Sequence, residues 1–172
     1  MPAQRGRRRR IHDVTAVGVI DTGWVIAAER NVNVARKLIA AFTSLGRVLI
    51  VPPIVVVEAR QRAVSIGGVD DILAELEGEP HTPADGLRAS DLLREAGRQA
   101  KGDGRDASQR IHEIGTADAL VAAMAERLGG IVYTGDPRHM EWLRGGGARI
   151  TVAPIPDFTS TASGGRSRRA GR

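Results

Sequence analysis

Four carboxylates stand where an apolar run gives way to a helix or a turn. Asp21 follows Ala16-Val17-Gly18-Val19-Ile20, and Glu58 follows Ile54-Val55-Val56-Val57 behind Pro52-Pro53. Asp118 lies in the first turn of a helix opening at Thr116, and Asp136 follows Ile131-Val132-Tyr133. The chain has no cysteine, and its histidines, His12, His81, His112 and His139, are scattered. Carboxylates gathered without thiolates are hard oxygen ligands that suit Mg2+ or Mn2+ rather than zinc. Such a cluster repels itself unless a cation sits inside it. The chemistry this predicts is metal-assisted phosphodiester hydrolysis, in which the ion activates a bound water and stabilises charge on the phosphate and the leaving oxygen.

Each acid also has a plainer explanation. Asp21 and Asp136 suit helix N-caps, and Asp118 suits the positive end of a helix dipole. Glu58 could be a partly exposed surface glutamate, but it directly follows an apolar run, where an unpaired buried carboxylate is costly. The order of elements along the chain bears on that choice.

Residues 16–20, 47–51, 131–133 and 149–153 are short apolar, β-branched runs that predict strands. Between them lie segments with apolar residues at helical spacing: 22–30, 32–45 closed by Gly46, a helix opened by Pro52-Pro53 and ended at Gly67-Gly68, 70–76, and 87–100 with Leu87, Leu92, Leu93 and Ala96 inward. Thr116 is the expected N-cap of a helix of about 12 residues stopped at Gly129-Gly130. Thr134-Gly135-Asp136-Pro137 turns the chain into a last helix, with Asp136 as N-cap and Pro137 at the first helical position. Residues 79–83 are broken by prolines but leave room for a short edge strand. Strands alternating with helices, on links too long for hairpins, predict an α/β fold: a three-layer α/β/α sandwich on a central, mainly parallel sheet. In such sheets ligands bind beyond the carboxyl ends of the strands, which is where Asp21 and Asp136 fall.

The 172 residues make one domain most simply. No apolar run approaches the roughly 20 residues needed to span a bilayer, and the start of the chain lacks the apolar core of a secretory signal, so a soluble cytoplasmic protein is expected. Nine arginines, at positions 5, 7–10, 166, 168, 169 and 172, concentrate the positive charge in the ends; the net charge is +5 overall and −4 for residues 11–157. We therefore expect a basic disordered tail over 1–13, the folded domain over 14–157 and a second basic tail over 158–172, both tails attracted to phosphate. An arginine-rich composition would leave the same pattern without any such role.

The segments VIDTGWVIA, VPPIVVVEARQR, TADALVAAMAERLGG and IVYTGDP resemble, in order and spacing, the four blocks of PIN-domain ribonucleases, and most closely the VapC-type toxins of bacterial toxin–antitoxin pairs. The resemblance spans roughly residues 17–152. It implies a PIN-like fold, a Mg2+- or Mn2+-dependent endoribonuclease, an RNA substrate, a cognate antitoxin protein and a homodimer. It makes Asp21, Glu58, Asp118 and Asp136 the metal-site acids and matches Thr134 to a frequent hydroxyl two residues before the last acid; a strand-end threonine bonded to backbone is the plain alternative. Two positions depart from the family pattern. Gly23 stands where Ser or Asn is common, and Arg138-His139 stands where many relatives carry a further Asp. His139 is a candidate ligand for metal or phosphate, and equally a surface or core histidine.

A second reading is a nucleic-acid-binding module with a degenerate site, driven by the arginine-rich ends. Five aromatics, Trp24, Phe42, Tyr133, Trp142 and Phe158, offer no stacking platform for single strands, so such binding would be electrostatic. Receiver-type phosphotransfer, dehalogenase-type phosphatase chemistry and a phosphate-binding loop each lack a required residue.

Overall fold

A computed structural model describes residues 16–158; the arginine-rich ends lie outside the described residues, apart from Phe158. Five strands form one sheet: β1 (Ala16–Ile20), β2 (Arg47–Val51), β3 (Glu77–Gly78), β4 (Ile131–Thr134) and β5 (Thr151–Pro154). Seven helices connect and cover them: α1 (Thr22–Glu29), α2 (Val32–Ser44), α3 (Pro53–Arg62), α4 (Ile66–Leu73), α5 (Pro83–Gly102), α6 (Ala107–Leu128) and α7 (Pro137–Gly145). The sheet order is β3-β2-β1-β4-β5, and every pairing is parallel. This is a three-layer α/β/α sandwich of PIN-like class. Sequence neighbours run outward from β1 on one side, and the chain then returns to place β4 on the other. The strand order thus reverses between β1 and β4, the crevice where open α/β sheets bind ligands.

β1 is buried on both faces as a central parallel strand must be: Val19 and Ile20 are fully enclosed. Gly18 lies where an added Cβ would come within 2.7 Å of Leu49 Cδ2 and 2.8 Å of Tyr133 Cε2. The Tyr133 ring is held edge-on by Phe42, with centroids 5.5 Å apart. On one side α1 to α4 pack among themselves, with α2 against β2; α5, α6 and α7 form a second group, with α6 against β1 and β4.

Most boundaries follow the local signals. Asp21, Asn31, Ser65, Thr82, Asp106 and Asp136 cap α1, α2, α4, α5, α6 and α7 through side-chain oxygens, and Thr82 with Asp85 completes a capping box. Several expectations fail for identifiable reasons. The helix opened by Pro52-Pro53 ends at Arg62, and Gly67-Gly68 lie inside α4. Glu29 Oε1 accepts the Ser65 N–H at 2.6 Å and Ser65 Oγ accepts that of Gly68, so a new helix is capped before the glycines are reached. Leu87 is 72 % exposed because the buried Asp85, Ala89, Leu92 and Ala96 set the phase of α5. The edge strand is Glu77–Gly78, ahead of the segment expected for it, and the last strand begins at Thr151, two residues late. Phe158 is buried and meets Trp24 edge-on at 5.2 Å, so the folded body runs one residue past the expected boundary.

Candidate active site at the carboxyl edge of the sheet

Asp21 leaves β1 extended and becomes the N-cap of α1. Its Oδ1 accepts the Trp24 N–H at 2.7 Å, and its Oδ2 accepts the Gly135 N–H at 3.0 Å. The buried Thr134 hydroxyl adds a third hydrogen bond to this carboxylate while its Oγ1 accepts the Asp136 N–H at 2.9 Å. Thr134 therefore supports both acids and the turn between them. Asp136 caps α7 by accepting the Arg138 N–H at 3.2 Å, and its side chain stays half-exposed.

Asp118 is presented by a break in α6. Gly115 adopts φ 77°, ψ 162°, a region open essentially to glycine, and residues from Thr116 onward restart the helix. The non-helical flank is Gly115, so the helix starts one residue before the expected Thr116 cap, and a helical segment already precedes it. The break places Asp118 in a first turn facing Asp21 and Glu58. Glu58 projects from α3 beside the buried Val55 and Ala59, and its Oε2 accepts the Thr22 hydroxyl at 2.7 Å.

These acids line one cavity of about 450 Å³, together with Thr22, Gly23, Arg62, Glu113, Gly115, Gly135 and His139. The structure thus brings Asp21, Glu58, Asp118 and Asp136 to a common wall, with Thr134 just behind it. A larger groove between α5 and α6 carries no acid on its lining. Among the described residues no three acidic or histidine groups stand close enough together to hold an ion as placed. Each carboxylate instead has a partner: backbone N–H groups for Asp21, Thr22 for Glu58, and His139 for Asp118 at 2.8 Å.

The electrostatics show what the wall lacks. Burial raises the Asp21 carboxyl above the usual carboxylate range, against the hydrogen bonds from Thr134, Trp24 and Gly135, and the Asp136 charge adds to the rise. Burial likewise pushes Asp118 up to about 6, opposed by the hydrogen bond and charge of His139 and reinforced by the charges of Asp21 and Glu58. Carboxylates raised by burial and by one another are those a cation would relieve. The all-oxygen donors of Asp21, Glu58, Asp118 and Asp136 therefore fit a hard divalent ion in chemistry.

Two site residues escaped the sequence reading, and a third was left undecided. Thr22 directly follows Asp21, but its reach to Glu58 spans 36 positions and has no local signal. Arg62 lies one turn beyond Glu58 on α3 and lines the cavity. His139, one turn after Asp136 on α7, touches two acids: Nδ1 lies 2.8 Å from Asp118 Oδ2 and Nε2 3.4 Å from Asp136 Oδ2. The departure at Gly23 also has a physical reason. A Cβ there would stand 3.3 Å from Asp21 Oδ1 and 3.4 Å from the Gly135 backbone, so the glycine lets the turn after β4 close onto α1.

The chain has the PIN-like α/β/α fold, and solved structures share it. A chain of VapBC2 from Rickettsia felis, solved bound to a DNA fragment from its promoter, superposes with a TM-score of 0.59 at 12 % identity, over 81 % of this chain and 99 % of that one. DNA-bound VapBC from Salmonella typhimurium gives 0.57 at 16 %, over 81 % and 98 %, and VapBC-1 from nontypeable Haemophilus influenzae gives 0.53 at 17 %, over 84 % and 99 %. No family model and no curated protein matches by sequence. Among the described residues no helix is long and apolar enough to cross a membrane.

Proposed function

We propose that this chain is a divalent-metal-dependent endoribonuclease of the VapC type, the toxin of a toxin–antitoxin pair. The observation that carries the reading is the convergence of Asp21, Glu58, Asp118 and Asp136, from four separate elements, on one cavity at the strand-order reversal of a fold shared with VapBC chains. Asp21, Asp118, Asp136 and Glu58 would hold Mg2+ or Mn2+. A bound ion supplies a water of lowered pKa and an electrostatic sink for phosphate charge.

The chain's own residues orient that chemistry. Asp21 is fixed by two backbone N–H groups and Thr134, so its oxygens are set before any ligand arrives. Thr22 points Glu58, and Thr134 braces the turn that carries Asp136. Arg62 brings a guanidinium to an otherwise acidic wall, where it would meet a phosphate of the RNA. The folded body is net acidic, so the bound ions, Arg62 and the arginine-rich ends share the recruitment of a polyanion.

The test is cleavage of a broad RNA panel by purified protein with Mg2+ or Mn2+, with Asp21→Asn and Asp118→Asn as controls. No cleavage, or variants as active as the parent, refutes the enzyme reading. An antitoxin partner predicts co-purification with a small protein encoded beside the gene; full activity tolerated in cells expressing the chain alone counts against it. Light scattering tests the accompanying expectation of a homodimer.

A further inference from the structure

His139 occupies the position where the acid pattern breaks, yet its ring is placed as tightly as any acid in the cavity. The side chain is 15 % exposed and stacks on Trp142, with centroids 5.5 Å apart and planes 27° from parallel. Trp142 is itself held by the guanidinium of Arg110 at 4.1 Å and that of Arg138 at 4.8 Å. Nδ1 lies 2.8 Å from Asp118 Oδ2. An ionised carboxylate only accepts, so Nδ1 carries the proton, and the neutral ring turns the Nε2 lone pair toward Asp136. A ring nitrogen bonded to a carboxylate on one side and open on the other is the usual arrangement of a metal-ligating histidine.

The open side has a telling span. Nε2 and Asp136 Oδ2 face each other at 3.4 Å, two acceptors with no proton between them in this tautomer. Two donors sharing one ion at about 2.1 Å lie roughly 3.0 to 3.4 Å apart at octahedral to tetrahedral angles. We infer that His139 is a nitrogen ligand of this site, paired with Asp136 across one ion, and that it shifts the site's preference from Mg2+ toward Mn2+. The inference rests on the metal-dependent reading above. Imidazole suits transition ions, whereas Mg2+ demands oxygen. Asp118 then serves His139 through Oδ2 and keeps Oδ1 for the ion.

The experiment is pulsed electron paramagnetic resonance on the full chain loaded with Mn2+, with calorimetry of Mn2+ and Mg2+ binding. The expected result is 14N modulation from a coordinated imidazole, lost in His139→Gln, with the Mn2+-over-Mg2+ affinity ratio falling at least about tenfold. His139→Asp restores an oxygen donor and is expected to shift preference toward Mg2+. Mn2+ bound without nitrogen coupling in the unmodified chain, or coupling that persists in His139→Gln, overturns the inference and leaves the metal-dependent reading standing. Failure of both ions to bind overturns the two together.

Discussion

Asp21 Oδ2 accepts the Gly135 N–H at 3.0 Å, tying the acid that ends β1 to the turn that ends β4. The same carboxylate caps α1 through Trp24, so one side chain joins the two central strands at their carboxyl ends. Removing it leaves two N–H groups in search of acceptors. Asp21→Ala is expected to lower stability by about 1–3 kcal/mol, whereas Asp21→Asn keeps one acceptor and most of the fold. Urea denaturation of the two variants checks this; equal losses would show that the tie is not structural.

Asp118 contributes a pH dependence of defined sign. A carboxyl raised to about 6 in the folded state binds more protons there than in the unfolded chain between about pH 4 and 6, so its contribution to stability declines as pH rises through that window. The Asp118→Asn substitution mimics the protonated form and still offers an oxygen to His139. With chelator present, this variant is expected to be more stable than the parent at pH 7.5, by on the order of 2 kcal/mol, and to gain little at pH 4. Thermal melts at the two pH values measure it, and a gain of the same size at both would refute the assignment.

Away from the site, Arg127 grips Asp85 through Nε at 2.9 and 3.1 Å and reaches Glu79 and the Pro80 carbonyl. Burial works to raise the Asp85 carboxyl, but Arg127 and Thr82 outweigh it and hold the group below the usual carboxylate range. A lowered folded pKa gives stability that is present above about pH 4 and lost as pH falls through the folded value. Arg127→Leu strands a buried carboxylate and is expected to cost about 3 kcal/mol at pH 7, with the deficit shrinking at low pH. Stability curves of parent and variant from about pH 2.5 to 7 test the sign.

Gly115 makes the break that aims Asp118. Its φ of 77° with ψ 162° is hostile to any side chain, and Gly115→Ala is expected to cost about 1–3 kcal/mol and to misplace Asp118. Gly18→Val fails for another reason, overpacking against Leu49 and Tyr133, and is expected to destabilise by a similar amount while leaving the acids' own contacts unaltered. Metal affinity separates the cases: measured on folded protein, it should drop for the first variant and hold for the second.

Much of this architecture is legible in the sequence because local signals agree with burial. Runs 16–20 and 47–51 are strands with the expected ends, and Asp136-Pro137 starts α7 as its turn chemistry requires. The four acids could be singled out because each sits at the end of a strand, on an apolar helix face or in a first turn. What stayed hidden depends on distant contacts. Glu29 stops one helix and starts another across 36 positions, Leu87 is turned outward by its neighbours' burial, and Gly115 looked like a lead-in rather than a break. The partners of Glu58 and His139 belong to the same class, set by tertiary approach and not by spacing.

The central claim is that the acid-lined cavity at the β1–β4 reversal hydrolyses RNA. Its most direct measurement is the cleavage rate of RNA by purified protein with Mn2+ or Mg2+, compared with Asp21→Asn under the same conditions. The account predicts metal-dependent cleavage that falls by ~100-fold or more in the variant, abolished by chelation and restored by added ion. RNA left intact across a broad panel, or cleaved equally by Asp21→Asn, would contradict it.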